Sequence, residues 1–453
     1  MTIAVPILRA AIISGGTPSW VQSHAASMLG AEAQGLALDF TDQFWLAATG
    51  HYGSAKVIDT GTPANNFDSI PDALLTYTGT TKLCRQSDGV YRYGPHNLYV
   101  NSAAPANQSI TVVSGASYAV TITGSVSVTA SGAATGTWTA GTNTFTAATA
   151  TLTLGSTSGS GTVHVRRTPS DSTYLATGAS AKYGLPYEWD ANGTLKGILV
   201  EPQATNLFLN NTTGATQTIS VSNATAYTVS FFGTGSITFS GANSSTLSGT
   251  GATTRVSTTF TTGSTSLVCT VSGSITDVQV ETGSVATSVI RTYAASATRA
   301  ADSISLAATA FPTISAGTFF VDAINLRNDL ARELLTFRDA GGTYRVRMSF
   351  STGNSFYYRV QASTTQAGDA TYGVGSITVG TTYKVGVGID TDSFAFVVNG
   401  SILNSDTSGT LPSGYSTLWI GSNAGVEQAS GYIQKIRVLP RRVANAAMQT
   451  ETT

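Results

Sequence analysis

The chain has 453 residues, enough for roughly two to four domains that each bury a core. Only 10% of its residues are charged and its net charge is -1, so no electrostatic partner is indicated. Its 23 basic residues are scattered, which argues against the basic stripe of a nucleic-acid-binding protein. We expect neutral surfaces of Ser, Thr, Asn, Gln and Gly, as in all-β proteins found outside cells or on particles.

About the first 60 residues differ in composition from the rest of the chain. The opening run MTIAVPILRAAIISGG is apolar but interrupted by Pro6 and Arg9, and no basic residue precedes it. It is too short to span a bilayer and lacks the basic region of a signal peptide. We therefore expect no export by the usual route and no membrane insertion. One short amphipathic helix is predicted after a cap at Ser19, with the apolar positions Val21, Ala25, Met28 and Leu29.

From residue 73 onward the sequence predicts β-strands. Short alternating runs are separated by Gly, Asn, Asp and Ser, a pattern typical of β-sandwiches. Asp88-Gly89 and Asn192-Gly193 indicate tight hairpin turns. Cys84 and Cys269 fall in different predicted domains, so we expect no structural disulfide.

An internal repeat is the most informative feature of this region. NLYVNSAAPANQSITVVSGASYAV begins at Asn97, and NLFLNNTTGATQTISVSNATAYTV begins at Asn206. The two runs predict two copies of one β-sandwich, at about 97–167 and 206–285. The identical positions at a constant offset are Asn97 and Asn206, Asn101 and Asn210, Gln108 and Gln217, and Tyr118 and Tyr227.

The last third, at about 314–442, predicts a different sandwich. In GTYRVRMSF, alternation places Tyr344, Val346, Met348 and Phe350 on one face and Arg345, Arg347 and Ser349 on the other. YKVGVGIDTDSFAFVVNGS predicts two antiparallel strands, with a first turn at Asp390 to Ser393 and a second at Asn399-Gly400. LWIGSN and GYIQKIRVLPRRV predict two further strands, and ANAAMQTE a short terminal helix or coil.

These C-terminal runs resemble a laminin-G-like, concanavalin-like lectin domain. The segment VQVETGSVATSVIRTYAASATRAADSI, at 278–304, resembles the connector that follows a carbohydrate-binding-type sandwich in structural proteins of tailed phages. GILVEPQATNLFLNN and DGVYRYGPHNLYVNS resemble further modules of phage head-spike and tail-fibre proteins. We expect the connector to cross between domains in an extended form. Its Arg291 and Arg299 are expected to pair with Glu281 and Asp302 or with backbone carbonyls.

The repeat and these resemblances together imply the fold class and domain order. The fold is all-β, with tandem antiparallel β-sandwiches: two repeated ones like carbohydrate-binding modules and one concanavalin-like jelly roll, behind a short helical or extended N-terminal segment. The predicted segments are a particle anchor at 1–70, a first sandwich with its lead-in hairpin at 71–170, a second at 171–290, a connector at 291–313 and the lectin domain at 314–453.

Catalytic chemistry is not indicated. His24, His51, His96 and His164 are dispersed, and none is at metal-ligand spacing from another His or Cys. Glycosidases need two carboxylates that flank the scissile bond. The acidic residues of VDAINLRNDLARELLTFRD have irregular spacing and are interpreted as loop and edge charges; they are Asp322, Asp329, Glu333 and Asp339.

Two candidate binding sites follow from the lectin-like region. Glycan binding needs an aromatic face for sugar C–H surfaces and planar polar groups for hydroxyls. Tyr357, Arg345, Arg347 and Arg359 are predicted to form such a solvent-facing patch. The second candidate is a Ca²⁺ site at the sandwich rim, with Asp390 and Asp392 as ligands. The simpler interpretation is that the two residues only form the turn of a hairpin. No other cofactor is expected.

The resemblance implies a non-enzymatic structural protein of a phage virion, either a head fibre or decoration protein or a tail fibre, assembled in the host cytoplasm. Its implied partners are capsid or tail proteins, bound through the N-terminal segment, and host cell-surface glycans. A homotrimer is expected, since phage fibres usually trimerise and open sandwich edges need cover. The alternatives are a polysaccharide-active hydrolase or lyase with binding modules, and a bacterial surface adhesin.

Overall fold

The computed structural model describes residues 36–41, 44–46, 52–54, 75–307, 314, 316–327 and 330–453. Within these ranges the chain is almost entirely antiparallel β-structure, which confirms the predicted fold class. The helix predicted after Ser19 lies outside the described residues. Among the described residues, no helix has the length and apolar character needed to cross a bilayer.

The chain forms two compact units, each assembled from separate stretches of sequence. The first contains the described residues up to Thr78, together with Leu195–Pro202 and Ala301–Thr453; the second contains Gly79–Thr194 and Gln203–Ala300. The sequence analysis predicted consecutive segments instead. The difference arises because strands at 75–78, 195–200 and 303–307 find their partners in the C-terminal sandwich.

The strands are numbered in chain order. Those of the first unit are β1 (Leu36–Asp39), β2 (Phe44–Leu46), β3 (Tyr52–Ser54), β4 (Leu75–Thr78), β17 (Leu195–Val200), β27 (Ser303–Ala307), β28 (Gly317–Asn325), β29 (Arg332–Arg338), β30 (Tyr344–Ser351), β31 (Ser355–Ala362), β32 (Thr364–Gly373), β33 (Thr382–Asp390), β34 (Ser393–Val398), β35 (Ser401–Asp406), β36 (Thr417–Ile420) and β37 (Gly431–Leu439), followed by helix α1 (Asn445–Glu451). Those of the second unit are β5 (Leu83–Arg85), β6 (Tyr91–Tyr93), β7 (His96–Asn97), β8 (Gln108–Thr111), β9 (Ser117–Ile122), β10 (Ser127–Gly132), β11 (Gly136–Trp138), β12 (Gly141–Thr146), β13 (Thr151–Ser158), β14 (Val163–Arg167), β15 (Lys182–Tyr183), β16 (Tyr187–Trp189), β18 (Ala204–Asn206), β19 (Gln217–Ser220), β20 (Ala226–Gly233), β21 (Ser236–Gly241), β22 (Thr246–Ser248), β23 (Gly251–Thr261), β24 (Ser266–Ser272), β25 (Ile275–Thr282) and β26 (Ala297–Arg299).

The first unit is a sandwich of two antiparallel sheets. One sheet has the order β3-β2-β1-β37-β28-β33-β34-β35, with β17 also paired to β37, and the other has the order β32-β31-β30-β29-β36-β27-β4. Aromatic rings from the two sheets meet in the core, as in Phe319 against Phe337 at 5.4 Å and Tyr358 against Phe396 at 4.7 Å between centroids. Such pairs add to the burial of their apolar area and fix how the sheets face each other.

Alternation places the side chains of β30 as predicted. Val346, Met348 and Phe350 are buried in the core, whereas Arg345 and Arg347 point to the other face. The hairpin of β33 and β34, the turn at Asn399-Gly400 and the terminal helix are also confirmed. Asn399 and Gly400 have positive φ values of 44° and 75°, as a tight hairpin turn requires.

The second unit contains the two predicted copies of one sandwich, and the strand order confirms the repeat. In the first copy a sheet β11-β10-β13-β8 faces a sheet β12-β9-β14; in the second, β22-β21-β24-β19 faces β23-β20-β25. Every strand of the first copy therefore has a counterpart at the same place in the second. The hairpin of β5 and β6, with its turn at Asp88-Gly89, is confirmed as well.

A buried asparagine ties each copy together. Asn97 and Asn206 are fully buried, and each side-chain amide binds two backbone carbonyls and two backbone N–H groups at 2.9–3.4 Å. These groups belong to Val163, Leu175, Tyr99 and Val165 in the first copy, and to Val278, Ile290, Phe208 and Val280 in the second. The amide thus joins the segment before the sandwich, its last strand and the segment after it.

The stretch directly after the last strand folds back on its own repeat, which differs from the extended crossing predicted for 278–304; the chain passes to the first unit only between Ala300 and Ala301, just before β27. The hydroxyl of Thr177 donates to the carbonyl of Tyr99, and that of Thr292 donates to the carbonyl of Phe208. Each copy therefore ends in a clasp, at 172–178 and 287–293, that folds back on its own start.

The charges of the second clasp also differ from the prediction. Arg291 pairs with Asp277, at 2.8 Å between Nε and Oδ1, and not with Glu281. The Glu281 carboxylate is buried and accepts hydrogen bonds from Gln279 and Thr287. Burial raises the pKa of Glu281, since it penalises the charged form.

His96 is a packed residue of the first copy. Its Nδ1–H donates to the carbonyl of Gly94 at 2.8 Å, and its Nε2 accepts the N–H of Arg167 at 2.7 Å. Both ring nitrogens are therefore used by the neutral imidazole. Burial lowers the pKa of His96 to about 4.

One buried carboxylate joins three separate stretches of the first unit. Asp302 accepts the hydroxyl of Tyr77 at 3.0 Å and the backbone N–H of Glu201 at 2.7 Å, and its own N–H donates to the carbonyl of Glu201. Tyr77 lies in β4, Glu201 follows β17 and Asp302 precedes β27. Each of the three lies close to a point where the chain passes from one unit to the other.

We predict that Asp302→Ala lowers the free energy of unfolding by about 2–4 kcal/mol, because it leaves buried donors without an acceptor. Tyr77→Phe removes one donor together with its need for a partner, so its cost is expected to stay near ~1 kcal/mol. Urea denaturation followed by tryptophan fluorescence measures both variants. Equal losses in the two would contradict the central role of Asp302.

We predict that the contribution of His96 to stability is lost between about pH 6.5 and pH 4. The unfolded imidazole takes up a proton in this range while the folded one stays neutral, so acidification favours unfolding by up to ~3 kcal/mol. The measurement is the difference in unfolding free energy between the wild type and His96→Gln at pH 7.5 and pH 4.5. The difference should shrink at pH 4.5; a constant difference would refute the assignment.

Candidate functional site

The four residues predicted to form a glycan patch lie together on the outer face of the sheet that contains β30 and β31. Arg347 on β30 is directly opposite Arg359 on β31, and Arg345 is opposite Gln361. Tyr357 is two residues from Arg359, on the same face. Neighbouring residues Phe356, Tyr358 and Val360 point into the core, so alternation alone turns the others outward. We call Arg345, Arg347, Tyr357 and Arg359 the arginine-tyrosine patch.

Asp369 on β32 holds two members of the patch. Its carboxylate accepts the Tyr357 hydroxyl at 2.6 Å and forms an ion pair with Arg359. The hydrogen bond from Arg359, and to a smaller extent that from Tyr357, lowers the pKa of Asp369. Burial and the bond to Asp369 raise the pKa of Tyr357 to about 12, so its hydroxyl stays protonated. The ring of Tyr357 is fixed as a result.

Arg347 lies across the centre of the patch. Its guanidinium carbon is 5.1 Å from the centroid of the Tyr357 ring, within cation–π range. It also pairs with Glu333 and, at 3.1 Å, with Glu427. Glu333 is only 1% exposed, and burial raises its pKa to about 7, although Arg347 opposes the shift. Arg347 is therefore committed to protein partners on both sides.

Arg345 differs from the other two arginines. Its Nε donates to the neutral side-chain oxygen of Gln361 at 2.8 Å, and within the described part of the chain no acid pairs with it. Burial, followed by the charges of Arg359 and Arg347, lowers its pKa. Its guanidinium thus has both the donors and the uncompensated charge to bind an acceptor from solution.

Trp419 extends the same face beyond the predicted residues. It lies on β36 opposite Thr336, which is opposite Arg347 on the next strand. The half-buried indole is therefore in one row with Arg347 and Arg359, across four strands. Sequence reasoning missed Trp419, Asp369, Gln361 and Glu427, because their positions beside the patch depend on strand pairing and loop position and not on sequence proximity. It interpreted Glu333 as a loop or edge charge, whereas this residue is buried in β29.

The acidic residues near the patch do not form a catalytic pair. The raised pKa of Glu333 suits a general acid, but its side chain is buried beneath Arg347 and does not reach the surface. Asp339 accepts the N–H of Tyr344 at 2.9 Å in a turn. Asp322 lies on β28, in the other sheet of the sandwich, where its neighbours in register are Lys384 on β33 and Lys435 on β37. Asp329 lies outside the described residues.

Asp390 and Asp392 lie at the tight turn between β33 and β34. One oxygen of Asp390 accepts the N–H of Thr391, and one of Asp392 accepts the N–H of Gly409 at 2.9 Å. Asp392 has a positive φ of 54°, which the turn requires. In the described residues no group of three His, Cys, Asp or Glu is placed to hold a metal ion. Turn formation accounts for both residues, and the calcium site stays a prediction.

The histidines that the structure describes have structural roles. His96 uses both nitrogens in the core of the first repeat, and His164 Nε2 donates to the carbonyl of His96 at 2.9 Å. His24 and His51 lie outside the described residues. Cys84 and Cys269 are both buried.

Comparisons with known proteins give no family assignment. No family model and no curated protein sequence matches the chain. Among solved structures, the carbohydrate-binding module CBM40 of the Ruminococcus gnavus IT-sialidase, bound to α2,3-sialyllactose, is 9% identical, covers 31% of this chain and 84% of that one, and has a TM-score of 0.28. A heptameric SAP-like pentraxin from Limulus polyphemus is 15% identical over 31% of this chain and 71% of that one, with a TM-score of 0.26. These scores are too low to transfer a ligand.

Proposed function

We propose that this chain is a structural protein of a tailed-phage virion, a head fibre or decoration protein or a tail fibre, whose C-terminal sandwich binds a host surface glycan through the arginine-tyrosine patch. The observation that carries the binding proposal is the placement of a fixed tyrosine ring and three guanidinium groups on one sheet face. A ring face takes the C–H surface of a sugar, and planar guanidinium groups take its oxygens.

The charge of Arg345, which no acidic residue of the described ranges compensates, indicates which class of glycan the patch would bind. Arg347 and Arg359 already pair with carboxylates, whereas the bond of Arg345 is to a neutral amide. A guanidinium fork matches a carboxylate or sulfate with two parallel hydrogen bonds. An acidic sugar should therefore bind more tightly than its neutral counterpart, with Arg345 on the acidic group and the Tyr357 ring beside the pyranose.

The virion assignment rests on different support. The order of the sequence resemblances, from the lead-in segments through the connector to the lectin-like region, is that of phage fibre proteins. The sparse charge and abundant Ser, Thr and Gly suit a protein exposed on a particle. Its capsid or tail partner would be bound by the N-terminal segment. A trimer would cover the open edges of the sheets, which otherwise present unpaired backbone groups.

We predict that Tyr357→Ala combined with Arg359→Ala abolishes signal on a glycan array, with a loss of affinity of about tenfold or more. Tyr357→Phe keeps the ring and should retain most of the binding. The melting temperature should change little, because Asp369, the partner of both residues, is largely solvated once released. The matched control is Arg92→Ala, which removes an exposed ion-paired arginine outside the patch.

Unchanged glycan binding in the double variant would refute the arginine-tyrosine patch as the binding site. Release of reducing ends from host capsule would instead favour a hydrolase or lyase.

We predict that the full chain is a trimer by size-exclusion chromatography with light scattering, and that antibodies to it label virions in electron micrographs. A trimer covers sheet edges that a monomer leaves open. A monomer under conditions where the chain binds glycan would contradict the trimer, and the absence of label from virions would contradict the phage assignment without affecting the glycan site.

A further inference from the structure

The second unit contains a cavity of about 230 Å³ between its two sandwich copies. Its walls are formed by β6, β7 and β14 of the first copy and its lead-in hairpin, and by the clasp of the second copy. Thr111, Val113 and Thr298 are exposed residues at its rim, so it opens at the surface of this unit. The residues that matter for its chemistry are Tyr93, Tyr118, Arg167, Tyr183 and Arg291.

Arg167 has a charge that the protein does not pair. Its guanidinium carbon is 4.9 Å from the ring centroid of Tyr93 and 5.7 Å from that of Tyr293. Its Nε and Nη2 atoms are buried and make no hydrogen bond. No ion pair joins it to an acid in the described parts of the chain. The planar cation is thus held in place by aromatic rings, Tyr293 included, while Nε and Nη2 have no hydrogen-bond partner among the described residues.

Tyr93 adds a second unused group to the same cavity. The residue is 2% exposed, and its hydroxyl is buried without a hydrogen-bond partner. Buried hydroxyl groups of folded proteins nearly always have a partner, since leaving one unpaired costs about 1–3 kcal/mol. Two unsatisfied groups in one cavity, one cationic and one able to donate, indicate a ligand that accepts hydrogen bonds.

The nearby acid is not available to Arg167. Asp277 is committed to Arg291, with bonds of 2.8 and 3.2 Å to Nε and Nη2. Arg291 lines the cavity but is neutralised by this pair, whereas Arg167 is not. The strand position that carries Arg167 in the first copy carries Thr282 in the second, since Tyr118 faces Arg167 and Tyr227 faces Thr282. The unpaired cation is therefore specific to the first copy.

We propose that this cavity is a second binding site, for a sugar that carries a carboxylate, with the carboxylate on Arg167 and the hydroxyl of Tyr93. Burial of an unpaired guanidinium is costly, and an incoming carboxylate offsets that cost with two parallel hydrogen bonds. The half-buried ring of Tyr183 in the wall would supply a face for the apolar side of a pyranose. The site is independent of the arginine-tyrosine patch, because all of its residues belong to the second unit.

The test is a titration of the full chain with D-glucuronate, followed by ligand-observed NMR. It is performed in the Arg345→Ala, Tyr357→Ala, Arg359→Ala background, so that the arginine-tyrosine patch does not contribute. D-glucuronate should bind, and Arg167→Met should weaken binding by about tenfold or more, the size expected for a charge-assisted bidentate contact. The matched control is Arg166→Met, which removes the same charge from the adjacent residue, whose side chain binds Thr121 instead.

Tyr93→Phe provides a second variant that does not depend on how Arg167→Met folds. It removes a buried hydroxyl that has no partner, so the melting temperature should be equal or higher while D-glucuronate binds about threefold or more weakly. D-glucose and inorganic phosphate are the comparison probes. Absence of D-glucuronate binding, equal binding of D-glucose, or equal binding of phosphate would each overturn the proposal, as would unchanged affinity in both variants.

Discussion

The first unit depends on the buried carboxylate of Asp302. The chain leaves this unit after β4, returns for β17, leaves again and returns before β27, and Asp302 joins the three stretches through Tyr77 and Glu201. This link adds to the ladder hydrogen bonds of these strands and to the burial of side chains such as Val200 and Ile304. One buried carboxylate thus helps to hold β4, β17 and β27, which are far apart in sequence, in one sandwich.

The two repeats use neutral groups for the same purpose. In a chain with so few charges, the amides of Asn97 and Asn206 satisfy four backbone groups each and join the beginning, the last strand and the clasp of a copy. An amide offers donors and acceptors on one planar group without the desolvation cost of a carboxylate. Where a charged residue is used in the repeats, it can have a fixed partner, as Arg291 has in Asp277.

Local pattern was sufficient to predict the repeat, the hairpins of the lectin-like region and the outward direction of Arg345, Arg347, Tyr357 and Arg359. Period-2 alternation determines the face of a side chain but not the strand that lies beside it. Asp369 could not be assigned, because β31 and β32 shift register twice and Asp369 itself has a positive φ of 68°. For the same reason β4 and β17 could not be placed in the C-terminal sandwich, and the clasp was interpreted as a crossing segment.

The pairing of β4 with β27 has a consequence for how such a protein can change over time. Thr78 is opposite Ser303, so the last residue before the first repeat and the first strand after the second repeat are neighbours in one sheet. Between the two repeats the chain contributes β17 to the same sandwich. Each repeat is therefore an insertion whose ends are anchored in the same scaffold, and closure of such a loop depends only weakly on its length. A longer or different repeat between these anchor points would leave the pairing of β4 with β27 in place, so the repeats can change in sequence and length independently of that pairing.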